Sequence, residues 1–180
     1  MGNKVIDIND PLIAACKQQD VKAQFELYQK YSGAMFNIAL RMLDNREDAE
    51  DVLQDSFVDA FKHIERFDGR VTFGAWLKRI VINKSINMLK RRNLLHWKNL
   101  DFDVPQETEE TELVIDPKKL KEAVQQLPVG CRAIFTMKAY EGLEHKEIAQ
   151  FLDISLSTSK TQFSRAKELL RVSLSKNLVS

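Results

Sequence analysis

One stretch of the sequence, FGAWLKRIVINKSINMLKRR at residues 73–92, carries side chains suited to nucleic-acid chemistry. It contains six Lys and Arg residues and no acid. At about 100° per residue, an aromatic ring, two amides and two bases fall within about 80° of one another on a helix. These residues are Trp76, Arg79, Asn83, Asn87 and Lys90. Such groups stack on unpaired bases and hold phosphates, so the stretch predicts a helix that captures a separated nucleic-acid strand.

The opposite side of this helix is apolar. Leu77, Val81 and Met88 face away from the polar set and would anchor the helix in a core. Two other interpretations stay open. Trp76 alone fits a core position equally well, and the three closing bases alone are typical of a solvated helix end. The loop that precedes the helix, ERFDGRVT at residues 65–72, makes the combination more specific than any one of its parts.

A second stretch, LEHKEIAQFLDISLSTSKTQFSRAKELLR at residues 143–171, predicts a helix-turn-helix. Ile148, Ala149 and Leu152 give a short first helix an apolar side, and a tight turn with Ile154 pointing inward follows. A second helix begins near residue 157. Its inward side is predicted to carry Ser159, Phe163, Ala166 and Leu170.

The outward side of that second helix is rich in hydroxyls and carries a base. It comprises Ser157, Thr161, Ser164 and Arg165. Such side chains suit the major groove of DNA, where Arg pairs with guanine and hydroxyls serve either bases or phosphates. The alternative is a helical hairpin with a solvated polar face.

A third pattern is acidic. Asp48, Asp51, Asp55 and Asp59 recur at intervals of three and four residues, with Gln54 on the flank, so they predict one stripe on a helix. A stripe of this kind repels DNA and suits a basic protein surface. A solvated helix face is the alternative interpretation.

The charge of the whole chain is segregated into blocks. The net charge is +1 over 180 residues, yet residues 44–59 hold seven acids and one base, and residues 101–116 hold seven acids and no base. The tail from residue 155 onward holds five bases and one acid. Strongly acidic and strongly basic segments in a chain of small net charge indicate several partners that differ in charge.

Helical periodicity predicts an all-α fold of two small helical domains joined by a flexible, acidic linker. Asp10-Pro11 is a helix start, and the following helix at residues 20–43 has a possible interruption at Ser32-Gly33. Residues 96–119 are read as the linker, although Pro117 is a second candidate helix start. The predicted domains are residues 1–95 and 120–180.

Catalytic chemistry has little support in the sequence. His63, His96 and His145 are scattered, and no HExxH, CxxC or phosphate-binding loop is present. Cys16 and Cys131 lie among apolar neighbours, which predicts buried, reduced thiols. No catalytic centre, cofactor, metal site or small-molecule substrate is therefore expected. No apolar run is long enough for a membrane span and no signal peptide is evident, so a cytoplasmic location without membrane insertion is expected.

Taken together, these motifs resemble those of bacterial extracytoplasmic-function (ECF) sigma factors, the smallest members of the sigma-70 family. DAEDVLQDSF resembles the family's core-polymerase-binding segment, and FGAWLKRIVIN resembles the helix that engages the minus-ten element. LP…CRAIF followed by GLEHKEIAQFLDISLSTSKTQFSRAKELL resembles the fourth domain, which reads the minus-thirty-five element. The resemblance covers most of the chain and keeps the family's motif order.

The resemblance implies a protein that binds core RNA polymerase, directs it to promoter DNA and helps to separate the strands. It implies polymerase contacts at Asp51, Gln54 and Asp55. It implies that the loop with Phe67, Asp68 and Gly69 receives a flipped minus-ten base, beside Asn83. DNA-facing positions of the fourth domain correspond to Lys160, Thr161, Ser164 and Arg165. An anti-sigma factor is the further partner that the resemblance suggests.

The sequence departs from the family at two positions, where many relatives have Val and Arg. Ser159 faces inward and is expected to loosen the packing slightly, and Gln162 is expected to remove one phosphate-binding base. Two other classes of protein stay as alternatives. A helix-turn-helix regulator with a helical sensor domain explains the C-terminal half equally well, but it leaves the acidic stripe unexplained. An enzyme acting on nucleic acid has no recognisable motif.

Overall fold

The described part of the chain is helical. A computed structural model describes residues 10–92, 94–95 and 116–176, and the regular structure within those ranges consists of α-helices and two short helical turns. The helices are α1 (Pro11–Lys17), α2 (Val21–Leu43), α3 (Arg46–Lys62), α4 (Phe73–Arg91), α5 (Pro117–Gln125), α6 (Val129–Phe135), α7 (His145–Leu152) and α8 (Leu156–Lys176). A 3₁₀ turn (Ile64–Arg66) follows α3, and a π-helical turn (Thr136–Tyr140) follows α6. The predicted all-α class is confirmed.

Contacts divide the chain into two compact units, Met1–Met88 and Leu89–Ser180. Most of the predicted linker, residues 96–115, lies outside the described residues. The last three residues of that prediction belong to α5, because Asp116 caps this helix at Pro117. Within the described ranges, none of the helices is long and apolar enough to cross a bilayer.

Side-chain caps start the helices of the first unit. The Asp10 carboxylate accepts from the backbone N–H of Leu12 at 3.1 Å, and Asn45 accepts from the backbone N–H of Asp48 at 3.0 Å. Each cap satisfies a donor that the first turn leaves unpaired. Asp44, with φ of +53°, ends α2 in the left-handed conformation and turns the chain directly into α3.

The interruption expected at Ser32-Gly33 is not found, because α2 continues through both residues. An interior glycine costs a helix about 1 kcal/mol relative to alanine. The buried side of α2, which includes Leu27, Met35 and Ile38, packs into the core and outweighs that cost. A long, unbroken α2 therefore supports α3, and the rings of Tyr28 and Phe57 meet between them at 4.8 Å.

The second unit has its own core, built by α5, α6 and α8. It consists of Ala123, Val124, Leu127, Cys131, Ala166, Leu170 and Leu174. Cys131 is a buried free thiol, as is Cys16 in the first unit, and this confirms the prediction for both cysteines. Burial raises the pKa of the Cys16 thiol to about 11, with smaller contributions from Asp20 and Glu26. The thiolate is therefore disfavoured at neutral pH.

Candidate functional site

The outer side of α3 carries an acidic face, which consists of Asp51, Gln54 and Asp55. All three side chains are exposed, and their spacing of three and four residues places them on adjacent turns. The opposite side of α3, which includes Ala49, Val52 and Phe57, is buried. The helix therefore holds two carboxylates and an amide in fixed positions on a rigid support.

Two acids of the predicted stripe do not belong to this face. Asp48 is buried in the first turn of α3, with 7% of its surface exposed. Asp59 is engaged by Lys84 of α4, whose Nζ lies 2.6 Å from the Asp59 Oδ2. The hydrogen bond from Lys84 is the main reason why the pKa of Asp59 is lowered from its usual value. Of the four acids in the predicted stripe, Asp51 and Asp55 therefore form the acidic face.

An exposed apolar side chain, which the sequence interpretation missed, adjoins the acidic face. Val58 is 64% exposed and follows Gln54 by four residues and Asp55 by three. The helical wheel would have found it, because it shares their side of α3. A partner on this face would meet carboxylates and an aliphatic contact together.

Four aromatic rings hold the loop between the 3₁₀ turn and α4. Phe67 lies 5.8 Å from Phe73 and 5.5 Å from Trp76, ring centre to ring centre, and Phe73 lies 5.7 Å from Trp76. Tyr31 of α2 packs on Phe73 at 5.5 Å. Gly74 permits this approach, because a Cβ there would lie 2.8 Å from the Tyr31 ring. This aromatic cluster joins both ends of the loop to α2.

The aromatic cluster contains two of the residues predicted to contact DNA. Phe67, which was predicted among the minus-ten contacts, is 1% exposed, so its ring is a core group in this conformation. Trp76 is half-buried against Phe67 and Phe73, which leaves part of its indole at the surface. The alternative interpretation of Trp76, as a core residue, thus explains its contacts with Phe67 and Phe73. The wheel assigned Trp76 to the polar side correctly but gave no information about the loop that covers it.

The tip of the loop is ordered by local hydrogen bonds. The Asp68 carboxylate accepts from the backbone N–H of Arg70 at 3.1 Å and pairs with its guanidinium at 3.0 Å. Gly69 adopts a φ of +76°, a conformation that other residues take up at a cost. Thr72 caps α4 by accepting from the backbone N–H of Ala75 at 3.2 Å. The tip therefore exposes Asp68 and Arg70 in a preformed turn.

Beyond the loop, α4 exposes a polar stripe, defined here as Arg79, Asn83, Asn87 and Lys90. The other side of the helix is buried and includes Leu77 and Val81, as predicted. Met88, the third predicted anchor, is partly exposed. The polar stripe therefore lies on one exposed side of a helix whose other side is fixed in the core.

The helix-turn-helix comprises α7, a short turn and α8. Glu144 and Glu147 form a capping box at the start of α7, and Asp153, with φ of +58°, ends it. The Ser155 hydroxyl accepts from the backbone N–H of Thr158 at 2.9 Å and so caps α8. Ile154 is half-buried in the turn, which agrees with its predicted inward direction. These caps fix where each helix begins.

The predicted DNA-facing residues of α8 all retain some exposure. Ser157 and Lys160 are exposed, and Thr161, Ser164 and Arg165 are partly exposed. Ala166 and Leu170, on the predicted inward side, are buried. The ring of Phe163 stacks on Phe135 of α6 at 5.9 Å. The helix thus presents hydroxyls and bases from a side that its core contacts leave accessible.

Ser159 is fully buried, as predicted, but it has a partner that the sequence interpretation missed. Its hydroxyl lies 2.9 Å from Nδ1 of His145, and the His145 ring packs edge-on against Phe163 at 5.4 Å. The expected loosening is therefore offset, because a buried hydroxyl with a hydrogen-bond partner carries little penalty. No local pattern links these residues, which stand fourteen positions apart.

Gln162 requires a correction. It is 6% exposed and its Oε1 accepts a hydrogen bond from the Cys131 thiol at 3.2 Å. This position faces the core of the second unit in this structure, so Gln162 does not replace a phosphate-binding base at the surface. The helical wheel places residue 162 at the boundary between the inward and outward sides of α8. Gln162 is buried because α6, which carries Cys131, packs against it.

The environment of His145 predicts that the second unit loses stability in acid. Burial, followed by Lys138 and Lys160, lowers the pKa of His145 from its ordinary 6.5, with Lys167 adding to the effect and Glu144 opposing it. The unfolded chain therefore binds the proton more readily than the folded chain. Stability should be fully present above pH 6.5 and should fall as the pH drops towards the lowered pKa.

Amide hydrogen exchange of α7 and α8 in the full chain measures this local free energy. We expect protection, corrected for the intrinsic exchange rate, to decrease between pH 7.5 and 5.5, about one unit either side of the ordinary value. In His145→Gln, which keeps a polar partner for Ser159, the decrease should be much smaller. An equal decrease in both proteins would assign the acid sensitivity to another group.

Comparison with known proteins is consistent with this arrangement. The sequence model of Sigma-70 region 2 matches residues 27–94, which contain the acidic face, the loop and the polar stripe. The model of Sigma-70, region 4, matches residues 118–170, which contain the helix-turn-helix. The two matched segments occur in the same order as the two structural units.

Curated relatives extend the similarity over most of the chain. The ECF RNA polymerase sigma factor SigE of Mycolicibacterium smegmatis is 30% identical over 159 residues, which are 84% of this chain and 62% of that protein. SigW of Bacillus subtilis, also an ECF RNA polymerase sigma factor, is 29% identical over 178 residues, 90% of this chain and 94% of the relative. This chain thus spans less than two thirds of the first relative and nearly all of the second.

A solved structure shares the fold. The sigma factor RpoE of Bartonella quintana, crystallised with the anti-sigma factor NepR, aligns with a TM-score of 0.58 at 20% identity, over 86% of this chain and 98% of RpoE. At this identity the match supports the helical fold and not the roles of single residues.

Proposed function

This chain belongs to the ECF group of sigma-70 family RNA polymerase sigma factors, and we propose that it binds core RNA polymerase and directs promoter-specific initiation of transcription. One observation carries the proposal. A single chain holds, in order, an acidic helix face, an aromatic-anchored loop with a polar stripe, and a helix-turn-helix. A polymerase partner, a separated strand and a duplex each require a surface of a different character.

The acidic face is the proposed contact with core polymerase. Asp51, Gln54 and Asp55 are exposed on a helix whose other side is fixed in the core, so little ordering is needed when a partner binds. Carboxylates favour a basic partner surface and disfavour DNA. The exposed Val58 beside them adds an apolar contact that a purely solvated face would not require.

The loop and α4 are proposed to hold the opened minus-ten strand. Extruding a base from the duplex costs a few kcal/mol, which contacts in a pocket must offset. Asp68 and Gly69 form a turn that is already ordered, and Asn83 stands on the adjoining helix with both donors and acceptors. Arg79 and Lys90 supply positive charge for the phosphates along the polar stripe.

The exposed side of α8 is proposed to read the minus-thirty-five element as duplex DNA. Lys160 and Ser157 are positioned for phosphates near the start of the helix, and Thr161, Ser164 and Arg165 for base edges or phosphates further along. We further propose an anti-sigma factor as a regulatory partner and the cytoplasm, where polymerase acts, as the location. In this role the chain needs no catalytic centre, cofactor or small-molecule substrate of its own.

Transcription with purified components tests the proposal. We expect the protein to co-purify with core polymerase and to confer initiation at discrete start sites on a genomic template. A helix-turn-helix regulator would bind duplex DNA without core polymerase and would confer no initiation. That second outcome would replace the proposal with the regulator alternative.

Arg165 provides a finer test of α8. If Arg165 makes a base contact, Arg165→Ala should weaken binding to the minus-thirty-five element by about 1–3 kcal/mol and relax selectivity at one base pair. If it touches phosphate alone, all sequences should weaken alike and the salt dependence should decrease. Competition binding of the holoenzyme against single-base variants of the element distinguishes these results. Wild-type affinity and selectivity would remove Arg165 from the interface.

A further inference from the structure

A charged pair links the helix that carries the acidic face to the helix that carries the polar stripe. Asp59 of α3 and Lys84 of α4 are oppositely charged, and their Oδ2 and Nζ atoms lie 2.6 Å apart. We propose that Asp59 and Lys84 are positioning residues, which hold α4 in the orientation that presents Asn83 to the opened strand. This inference rests on the function proposed above for α3 and α4.

The two residues occupy informative places in their helices. Asp59 follows Asp55 by four residues and so lies one turn beyond the acidic face. Lys84 directly follows Asn83, so the same turn of α4 carries both the proposed strand contact and the link to α3. A shift of Lys84 would therefore move Asn83 with it.

The pair has the properties of a structural link. At 2.6 Å it is a short, charge-assisted hydrogen bond. The Lys84 side chain is 24% exposed and that of Asp59 is 45% exposed, so the pair is only partly open to solvent. The hydrogen bond also lowers the pKa of Asp59, which keeps the carboxylate charged.

The charged pair adds a directional contact to the apolar contacts that α4 makes on its buried side. Burial of side chains such as Val81 and Ile82 sets which side of α4 faces the core. A hydrogen-bonded ion pair restricts the remaining rotation and sliding of the helix, because it requires two particular atoms to meet. The aromatic cluster fixes the first turn of α4 at Phe73 and Trp76. Lys84 lies eight residues after Trp76, about 12 Å along the axis, and provides a second fixed point there.

One alternative must be separated from this role. Lys84 is also a base on a helix proposed to hold DNA, so it would serve as a phosphate contact if Asp59 released it. In that case Asp59 restrains the lysine, and removal of the Asp59 charge should improve strand binding. The positioning role predicts the opposite result.

The experiment uses three full-length variants, Asp59→Lys, Lys84→Asp and the double variant with the charges exchanged. Each is assembled with core polymerase, and strand opening is measured by permanganate reactivity of thymines at equal holoenzyme occupancy. We expect each single variant to reduce opening by roughly 3- to 10-fold, because it loses the pair and places like charges together. The exchanged variant should recover most of the loss, and polymerase binding should persist throughout.

A matched control comes from another ion pair. Arg46 and Glu50 form an ion pair of 2.8 Å between two residues of the same helix, α3. The two single variants and the charge-exchanged double variant of this pair should all open promoter DNA as the wild type does. Two results would overturn the inference: an exchanged variant no better than Lys84→Asp, or an Asp59→Asn variant that opens DNA better than wild type. If the wild-type protein itself failed to open promoters, the proposed function would fail instead, so the two failures are distinguishable.

Discussion

Replacing both Asp51 and Asp55 with Lys should abolish the binding of core RNA polymerase. Both carboxylates are exposed on one face of α3, so the double change converts an acidic face into a basic one and repels the partner proposed for it. We expect the dissociation constant to rise by at least about 100-fold, since loss of close interfacial charge pairs commonly costs several kcal/mol. Co-purification and fluorescence anisotropy with labelled core enzyme measure this change.

The fold should survive the double replacement, because exposed helix charges contribute roughly 0–1 kcal/mol to stability. Circular dichroism should therefore match that of the wild type. Glu26→Lys combined with Glu122→Lys is the matched control, since it makes the same change in net charge at exposed positions outside α3. Unchanged polymerase binding by the Asp51 and Asp55 variant would exclude the acidic face from the interface.

Replacing Asn83 with Ala should separate polymerase binding from strand opening. The amide is exposed on α4 and has no predicted part in polymerase binding, so holoenzyme assembly should be normal. Closed-complex formation should largely survive, because the variant leaves unchanged α8, the helix proposed to read duplex DNA. Open-complex formation should fall by about 5- to 150-fold if Asn83 contributes the ~1–3 kcal/mol typical of a good base contact. Shortening the loop at Asp68-Gly69 should have the same effect.

A template with a pre-melted bubble should restore part of the loss, because the cost of extruding the base has then already been met. Permanganate reactivity of unpaired thymines measures opening directly. Asn37→Ala is a suitable control, since it removes an exposed amide from α2. Normal thymine reactivity on duplex promoter in Asn83→Ala would leave α4 as a general phosphate clamp.

The sequence predicted which sides of the helices face the core more reliably than it predicted what covers them. Periodicity assigned Leu77, Val81 and Ser159 to buried sides, and all three are buried. The helix starts at Asp10-Pro11 and Asp116-Pro117 were also readable, because a capping side chain before proline is a local signal.

The remaining features depend on contacts between residues far apart in sequence. Phe67 and Gln162 were expected at DNA-facing positions, yet both are buried because other elements cover them. The Asp59–Lys84 and His145–Ser159 pairs each join two helices, so neither follows from the periodicity of one. Local patterns give the direction of a side chain, whereas its partner is set by the packing of whole elements.

Because aromatic rings fix both ends of the loop, the residues at its tip can be replaced without changing those anchors. Both ends of the tip are fixed, at Phe67 and at Phe73, by rings that pack on each other and on Tyr31 of α2. Residues 68, 70 and 71 lie between these anchors with exposed side chains and no place in the core. A library confined to those three positions, with Gly69 retained for its φ of +76°, therefore samples new base preferences while the scaffold stays constant. If the loop contacts the minus-ten base as proposed, directed evolution of these three positions should change promoter choice.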